Sequence, residues 1–287
     1  MAEKSVVVIG LPESGKTTYL AAFWHVLLEA DINSKLKFSV LRSGNTEHLN
    51  QIADLWRQAH KQERTSVSGD RVVNVMVRDD DGNIDSVSFP DVAGEAFRQM
   101  WEERECDQEI SRMILSNGVM FFIHADTIKA PGWIVDDRVQ SENAGIAYET
   151  ENNGIPLAWT PRMAPTQVQV IDLLQSLQNP PFDVGPRKLA LVLSAWDTVE
   201  AEKLSPKDYL AKRMPLLRQY LTNGLNDGWT FRIYGISAQG GDYDKKSQPT
   251  VAADNLRELS SPTERIKVEY DGNISHDLTE PLHWLLR

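Results

Sequence analysis

The chain is poor in cysteine, in positive charge and in long apolar runs. Cys106 is the one cysteine in 287 residues, so no intramolecular disulfide can form, which fits a reducing compartment. Lys and Arg number 30 against 41 Asp and Glu, a net charge of −11. A chain this acidic is ill suited to neutralising nucleic-acid phosphates or to docking on anionic membranes, so neither partner is expected. No apolar run approaches the length of a membrane span, and no apolar leader opens the chain. The reading is a cytoplasmic protein. The six histidines (His25, His48, His60, His124, His276, His283) are scattered. None sits near a Cys or carboxylate at zinc-ligand spacing, which disfavours a metal held by the protein alone.

What the chain has is a 41% hydrophobic, 25% charged composition that suits a globular protein with a full core. Short apolar segments alternate with helical patterns. Strands are predicted over Ser5–Gly10, 36–41, 72–77, Ile84–Phe89, 119–124, 188–193 and 231–236. Helices are predicted over 16–29, 48–63, 95–116, 166–178, 206–223 and 278–286. The near-continuous apolar runs at 119–124 and 188–193 belong in the middle of a parallel sheet covered on both faces. Asp79-Asp80-Asp81-Gly82-Asn83 joins the strands on either side as a solvated hairpin turn. The stripe Tyr19, Leu20, Phe23, Trp24, Leu27 reads as core packing. Residues 125–165 are long, polar and loop-like, a lid, a partner surface or a disordered insert, and 242–264 form a second polar stretch. No linker or internal repeat interrupts the chain, so residues 1–287 are expected to form one elaborated domain.

The informative motif is Gly10-Leu11-Pro12-Glu13-Ser14-Gly15-Lys16-Thr17, a G-x-x-x-x-G-K-T directly after Val6-Val7-Val8-Ile9. A strand feeding a glycine-rich turn that opens a helix is a phosphate cradle. Gly10 and Gly15 let the backbone curl so that N–H groups point inward at an anion. The helix start adds roughly half a positive charge. Lys16 is a point charge for β- and γ-phosphates, and Thr17 offers a hydroxyl to Mg²⁺. Pro12, Glu13, Ser14 and Thr18 complete the nucleotide-binding set expected here.

In open α/β sheets ligands bind beyond the carboxyl ends of strands, and three more segments occupy such ends. Asp91-Val92-Ala93-Gly94-Glu95 follows one strand. Asp91 is placed to hold the Mg²⁺ shell, and the Gly94 N–H can meet a γ-phosphate. The segment resembles the switch II motif of Ras-like (TRAFAC-class) GTPases. Ser194-Ala195-Trp196-Asp197 stands where that class has N/T-K-x-D. The resemblance implies that the Asp197 carboxylate accepts hydrogen bonds from guanine, which adenine does not supply. The sequence departs from the pattern at Ser194 and at Ala195, where Lys is usual. Trp196 either covers the base or packs in the core. Ser237-Ala238-Gln239 resembles the S-A-K motif, whose Ala N–H meets the guanine carbonyl.

A switch I threonine is expected between the first helix and the hairpin. Thr65 is the better candidate and Thr46 the alternative; neighbouring Arg64 is a candidate arginine finger. Glu95 sits where many of these GTPases carry a water-orienting Gln. The expected fold is the three-layer P-loop NTPase fold, Ras-like with insertions: a mostly parallel sheet with one antiparallel hairpin strand. The opening G-L-P-x-S-G-K-T-T-Y-L-A-A, Asp91–Glu95, S-x-W-D and the closing Asp277-Leu278-Thr279-Glu280-Pro281-Leu282 also resemble the bacterial double-GTPase families. That resemblance implies a cytoplasmic GTPase with a partner GTPase in a prokaryotic conflict or defence system. GTP and GDP with Mg²⁺ are the expected ligands. The Glu95 carboxylate, which would repel the γ-phosphate, gives the expectation of slow basal hydrolysis accelerated by a protein partner, a second GTPase or the chain itself. A non-hydrolysing nucleotide-binding scaffold and an ATP-using phosphotransferase are the alternatives.

Overall fold

The computed structural model describes residues 3–29, 32–62, 72–90, 94–132 and 160–287. Its centre is β1 (Ser5–Gly10), whose Val6 to Ile9 are at most 1% exposed. Side chains alternate across a strand, so Val6 and Val8 enter the core on one face of the sheet while Val7 and Ile9 enter the core on the other. The remaining strands are β2 (Lys37–Ser43), β3 (Val73–Arg78), β4 (Ile84–Phe89), β5 (Gly118–His124), β6 (Lys188–Ser194), β7 (Thr230–Ser237), β8 (Lys267–Tyr270) and β9 (Asn273–Ser275). They lie in the order β2-β3-β4-β1-β5-β6-β7-β8-β9. The central five, β4-β1-β5-β6-β7, are parallel, with Val8 beside Met120 and Phe121 beside Leu191. The hairpin partner β3 is antiparallel to β4, as expected, and β8 adds a second reversed strand at the far edge.

Helices cover both faces. α1 (Lys16–Leu28), α2 (Thr46–Arg57), α8 (Val251–Arg257) and α9 (Glu280–Leu286) pack on one side. α3 (Glu95–Glu103), α4 (Gln108–Ile114), α5 (Thr166–Leu177), α6 (Pro206–Arg213) and α7 (Pro215–Asn223) pack on the other. The predicted aromatic stripe is core: Tyr19 stacks on Phe23 at 5.9 Å and meets Phe122 edge-on at 5.0 Å. No described helix is long and apolar enough to cross a membrane.

Several predicted elements are corrected. The single helix at 95–116 is two, because Arg104 turns left-handed (φ 62) and Asp107 starts α4 by accepting from the Glu109 N–H at 2.7 Å. The helix at 206–223 breaks at Met214, because Pro215 cannot donate into the preceding turn and restricts the residue before it. The helix at 48–63 starts earlier, where Asn45 accepts from His48 N–H at 3.1 Å, and α2 ends at Arg57. Thr46, the alternative switch I residue, is therefore the first residue of α2. The β8–β9 hairpin lies outside the predicted strands, although Asp271-Gly272 at its turn is a hairpin signal.

Asp79 is not solvated. It is 6% exposed and accepts from the Asn83 N–H at 2.8 Å and from Arg287 Nε at 2.7 Å. Arg287 also donates to Asp85 at 2.6 Å, tying the end of α9 to the hairpin.

Candidate nucleotide-binding site

The carboxyl ends of β1, β4, β5, β6 and β7 meet on one edge of the sheet. The turn after β1 is shaped by its glycines. A Cβ on Gly10 would stand 2.6 Å from Phe122 O and 2.7 Å from Ser14 Oγ, and one on Gly15 (φ 86) 2.9 Å from Ser194 Oγ. Gly15 is the N-cap of α1, and no acidic side chain occupies the first turn of that helix. Its dipole therefore faces the turn uncancelled. Glu13 takes a left-handed conformation (φ 60) at the exposed apex. Pro12, which has no N–H, lines the neighbouring cavity.

Lys16 is 2% exposed and curls back into the loop. Its ammonium donates to Gly10 O at 2.9 Å, Leu11 O at 2.9 Å and Ser14 Oγ at 3.2 Å. Gly94, the N-cap of α3 (φ 93), lies directly on this group. A Cβ there would stand 2.6 Å from Lys16 Nζ and 2.8 Å from Pro12 N. The chain after β4 is thus in contact with the lysine of the cradle, and only a residue without a side chain fits. Glu95 is exposed at the first position of α3. Thr17 follows Lys16 in the first turn of α1. Asp91, Thr65 and Arg64 lie outside the described residues. Among the described residues no group of three or more His, Cys, Asp or Glu is disposed to hold a metal.

On the other side of Lys16 a cleft is lined by Gly15, Thr18, Ser194, Ala195, Asp197 and Ala238. Asp197 is held from behind: Ser237 Oγ donates to its Oδ1 at 2.5 Å and accepts the Gly240 N–H at 2.9 Å. Ser237 is fully buried, so it orients Asp197 instead of lining the cleft. Of the two roles open to Trp196, the base-binding one is corrected and the packing one is what the structure has. Its ring packs on Gly235, where a Cβ would come within 2.6 Å of it, and meets Tyr209 edge-on at 5.3 Å. Its Nε1 donates to Glu269 at 2.8 Å. The departure at Ser194 has a structural answer. Its hydroxyl donates to the Ser14 carbonyl at 2.8 Å, bracing the cradle from β6 without a lysine at position 195.

Two residues that no motif marks also face the site. His124 ends β5 beside Ser194 and borders both the cleft and a second cavity next to Leu11 and Pro12. Its Nδ1 is buried without a partner among the described residues, and burial pushes its pKa down, so the ring is neutral near pH 7. Arg98, one turn after Gly94, lines the second cavity and has no ion pair or side-chain hydrogen bond among the described residues, whereas Arg162 opposite is tied to Glu102 at 2.9 Å. Only the folded arrangement reveals either.

A family model described as Double-GTPase 1 matches residues 7–285. No curated protein matches the chain. Among solved structures, the chain is similar to the S. cerevisiae Ski7 GTPase-like domain bound to GDP and inorganic phosphate, at 10% identity and a TM-score of 0.43, over 91% of this chain and 51% of that one. It is also similar to the signal recognition particle receptor SRb-GTP/SRX complex from Chaetomium thermophilum, at 12% identity and a TM-score of 0.37, over 90% and 96% of the two chains. A third is nucleolar GTP-binding protein 1 from Plasmodium falciparum, at 13% identity and a TM-score of 0.38, over 89% and 82%.

Proposed function

The chain belongs to the Double-GTPase 1 family, and from that premise we propose that it is a GTP-binding switch that hydrolyses GTP slowly and is accelerated by a protein partner. Guanine-nucleotide binding comes with the family. The observation that carries the switch is the contact of Gly94 with Lys16 Nζ. A γ-phosphate drawn to that ammonium must displace or engage the Gly94 peptide, and α3 begins at the next residue. The third phosphate would thereby be felt by a helix whose Phe97, Met100 and Trp101 are buried in the core.

Lys16, the amides of the cradle and the dipole of α1 hold the phosphates. Mg²⁺, when bound, neutralises charge on the β- and γ-oxygens; Thr17, Asp91 and Thr65 are the residues that would hold it. Glu95 stands where it can orient water, but its charge opposes the approach of the γ-phosphate, the reason to expect slow turnover. Arg98, which has no ion pair among the described residues, lies beside Leu11 and Pro12 and would offset charge developing on the transferred group. A cytoplasmic role in prokaryotic defence with a second GTPase, or with another copy of this chain, is the setting that agrees with family and charge.

Single-turnover assays with GTP and ATP test this reading. GTP is expected to be hydrolysed and ATP left intact, with Arg98→Ala slowing GTP cleavage about 10³-fold at little cost in GDP affinity. Binding of GTP with no cleavage at all by the wild type would make the protein a scaffold instead. Gly94→Ala is expected to weaken GTP about tenfold relative to GDP, because the new Cβ crowds Lys16 Nζ and the backbone already has a positive φ. Equal losses for both nucleotides in equilibrium titrations would remove Gly94 as the γ-phosphate sensor.

A further inference from the structure

The loop that follows β7 carries Ala238 and Gln239 into the base cleft, yet what holds this loop is a helix far away in the chain. Trp56, near the end of α2, is 1% exposed, and its indole Nε1 donates to Ala238 O at 2.8 Å across 182 residues of sequence. The Arg265 guanidinium lies between the rings of Trp56 and Tyr243, at 4.3 Å and 5.2 Å from their centroids. It donates to the last carbonyls of α2, those of Trp56 and Arg57. Gly240 (φ 77) lies on the Arg265 backbone so closely that a Cβ would stand 2.5 Å from Arg265 O.

The chain leaving α2 then runs beside the far end of the same loop. Lys61 N–H donates to Asp244 O at 2.6 Å and Asp244 N–H to Ala59 O at 3.3 Å. The buried Asp244 carboxylate takes hydrogen bonds from His60 Nδ1 at 2.8 Å, Arg257 Nη2 at 2.5 Å and the Thr250 N–H at 3.0 Å. These donors, Arg257 first among them, hold its pKa well below the ordinary carboxylate range. The loop is therefore held at Ala238 by α2 itself, at Gly240 by Arg265, which bonds the end of α2, and at Asp244 by the chain leaving α2 together with Thr250 and Arg257.

We infer that α2 is the brace of the base-reading loop, and that Trp56 is a specificity-determining positioning residue: through its hydrogen bond to Ala238 O it keeps the Ala238 amide where a guanine O6 can accept from it. The inference rests on the guanine-nucleotide reading above and adds to it the element that preorganises the reader. A buried carbonyl left without its donor favours other conformations of the loop. Nucleotide binding must then reorder the loop, and affinity falls by the fraction of time the loop is correctly placed.

The test is a cycle in which one arm is a change in the base. GDP and 2-aminopurine riboside 5′-diphosphate, which lacks O6 and with it the N1–H but keeps the 2-amino group, are titrated against wild type and Trp56→Phe. The N1–H loss is common to both proteins and cancels in the cycle. The wild type is expected to bind GDP more tightly than the analogue. Trp56→Phe is expected to lose about tenfold for GDP and less than twofold for the analogue, because the penalty passes through a contact that the analogue does not make. A loss shared equally by both ligands, or no loss for GDP, overturns the inference. If the wild type itself fails to prefer GDP, the failure belongs to the guanine reading. Should Trp56→Phe melt too early to titrate, 3-benzothienylalanine at position 56 keeps the ring volume, deletes the N–H, and must give the same selective loss.

Discussion

Lys16→Ala is expected to abolish measurable binding of GDP, GTP, ADP and ATP alike. The ammonium is buried within its own loop, donating to the Gly10 and Leu11 carbonyls and to Ser14 Oγ. Its removal therefore has two consequences. The phosphates lose a charge-assisted partner, which contributes about 1.5–3 kcal/mol per hydrogen bond. The inward-facing carbonyls also lose the cation that offsets their negative ends, so the empty cradle becomes less hospitable to an anion. Two phosphate contacts together correspond to roughly 10²–10⁴-fold in affinity. Because the side chain replaced serves the ligand and the loop but not the sheet core, the melting temperature is expected to move little. Titration calorimetry checks the first statement and thermal melts the second. Binding within threefold of wild type for any of the four would show that the nucleotide lies elsewhere.

Asp197→Asn is expected to exchange guanine for xanthine preference. Ser237 Oγ already donates to Asp197 Oδ1, which fixes the plane of the carboxylate, while ionised oxygens keep lone pairs for the N1–H and 2-amino group of guanine. An asparagine in the same place retains its carbonyl oxygen for Ser237 and turns its NH₂ toward the cleft. A donor there opposes the guanine 2-amino group and suits the xanthine carbonyl. GDP affinity should fall about 10²–10⁴-fold, the loss of two charge-assisted hydrogen bonds, and xanthosine diphosphate affinity should rise. Competition between the two diphosphates measures the exchange directly. Unchanged base preference would take Asp197 out of the base cleft.

Much of the site was legible because its residue types are demanded by local backbone geometry. Gly10 and Gly15 stand where a Cβ would collide with Phe122 O, Ser14 Oγ and Ser194 Oγ, and such positions announce themselves as glycines at fixed spacing. Gly94 was legible for the same reason. Trp196 was not, because an indole beside a cleft-forming Asp and an indole in the core look identical in sequence; the space above Gly235 decides between them. The broken helices at Arg104 and Met214 had signals in Asp107 and Pro215, which the strong apolar periodicity outweighed.

The order of strand, glycine turn, helix and acidic strand-end residue follows from the sequence alone, since each depends on neighbours within a few positions. That order established a nucleotide cradle on a mostly parallel sheet. Tertiary structure alone decided which side chains support it: Ser194 bracing Ser14, Ser237 orienting Asp197, Trp56 holding Ala238, and His124 and Arg98 facing the site. Those relations join residues 180, 40 and 182 positions apart in the first three cases. At such separations no local propensity or spacing constrains a pair, and only the packing of the helices on the sheet sets the distances.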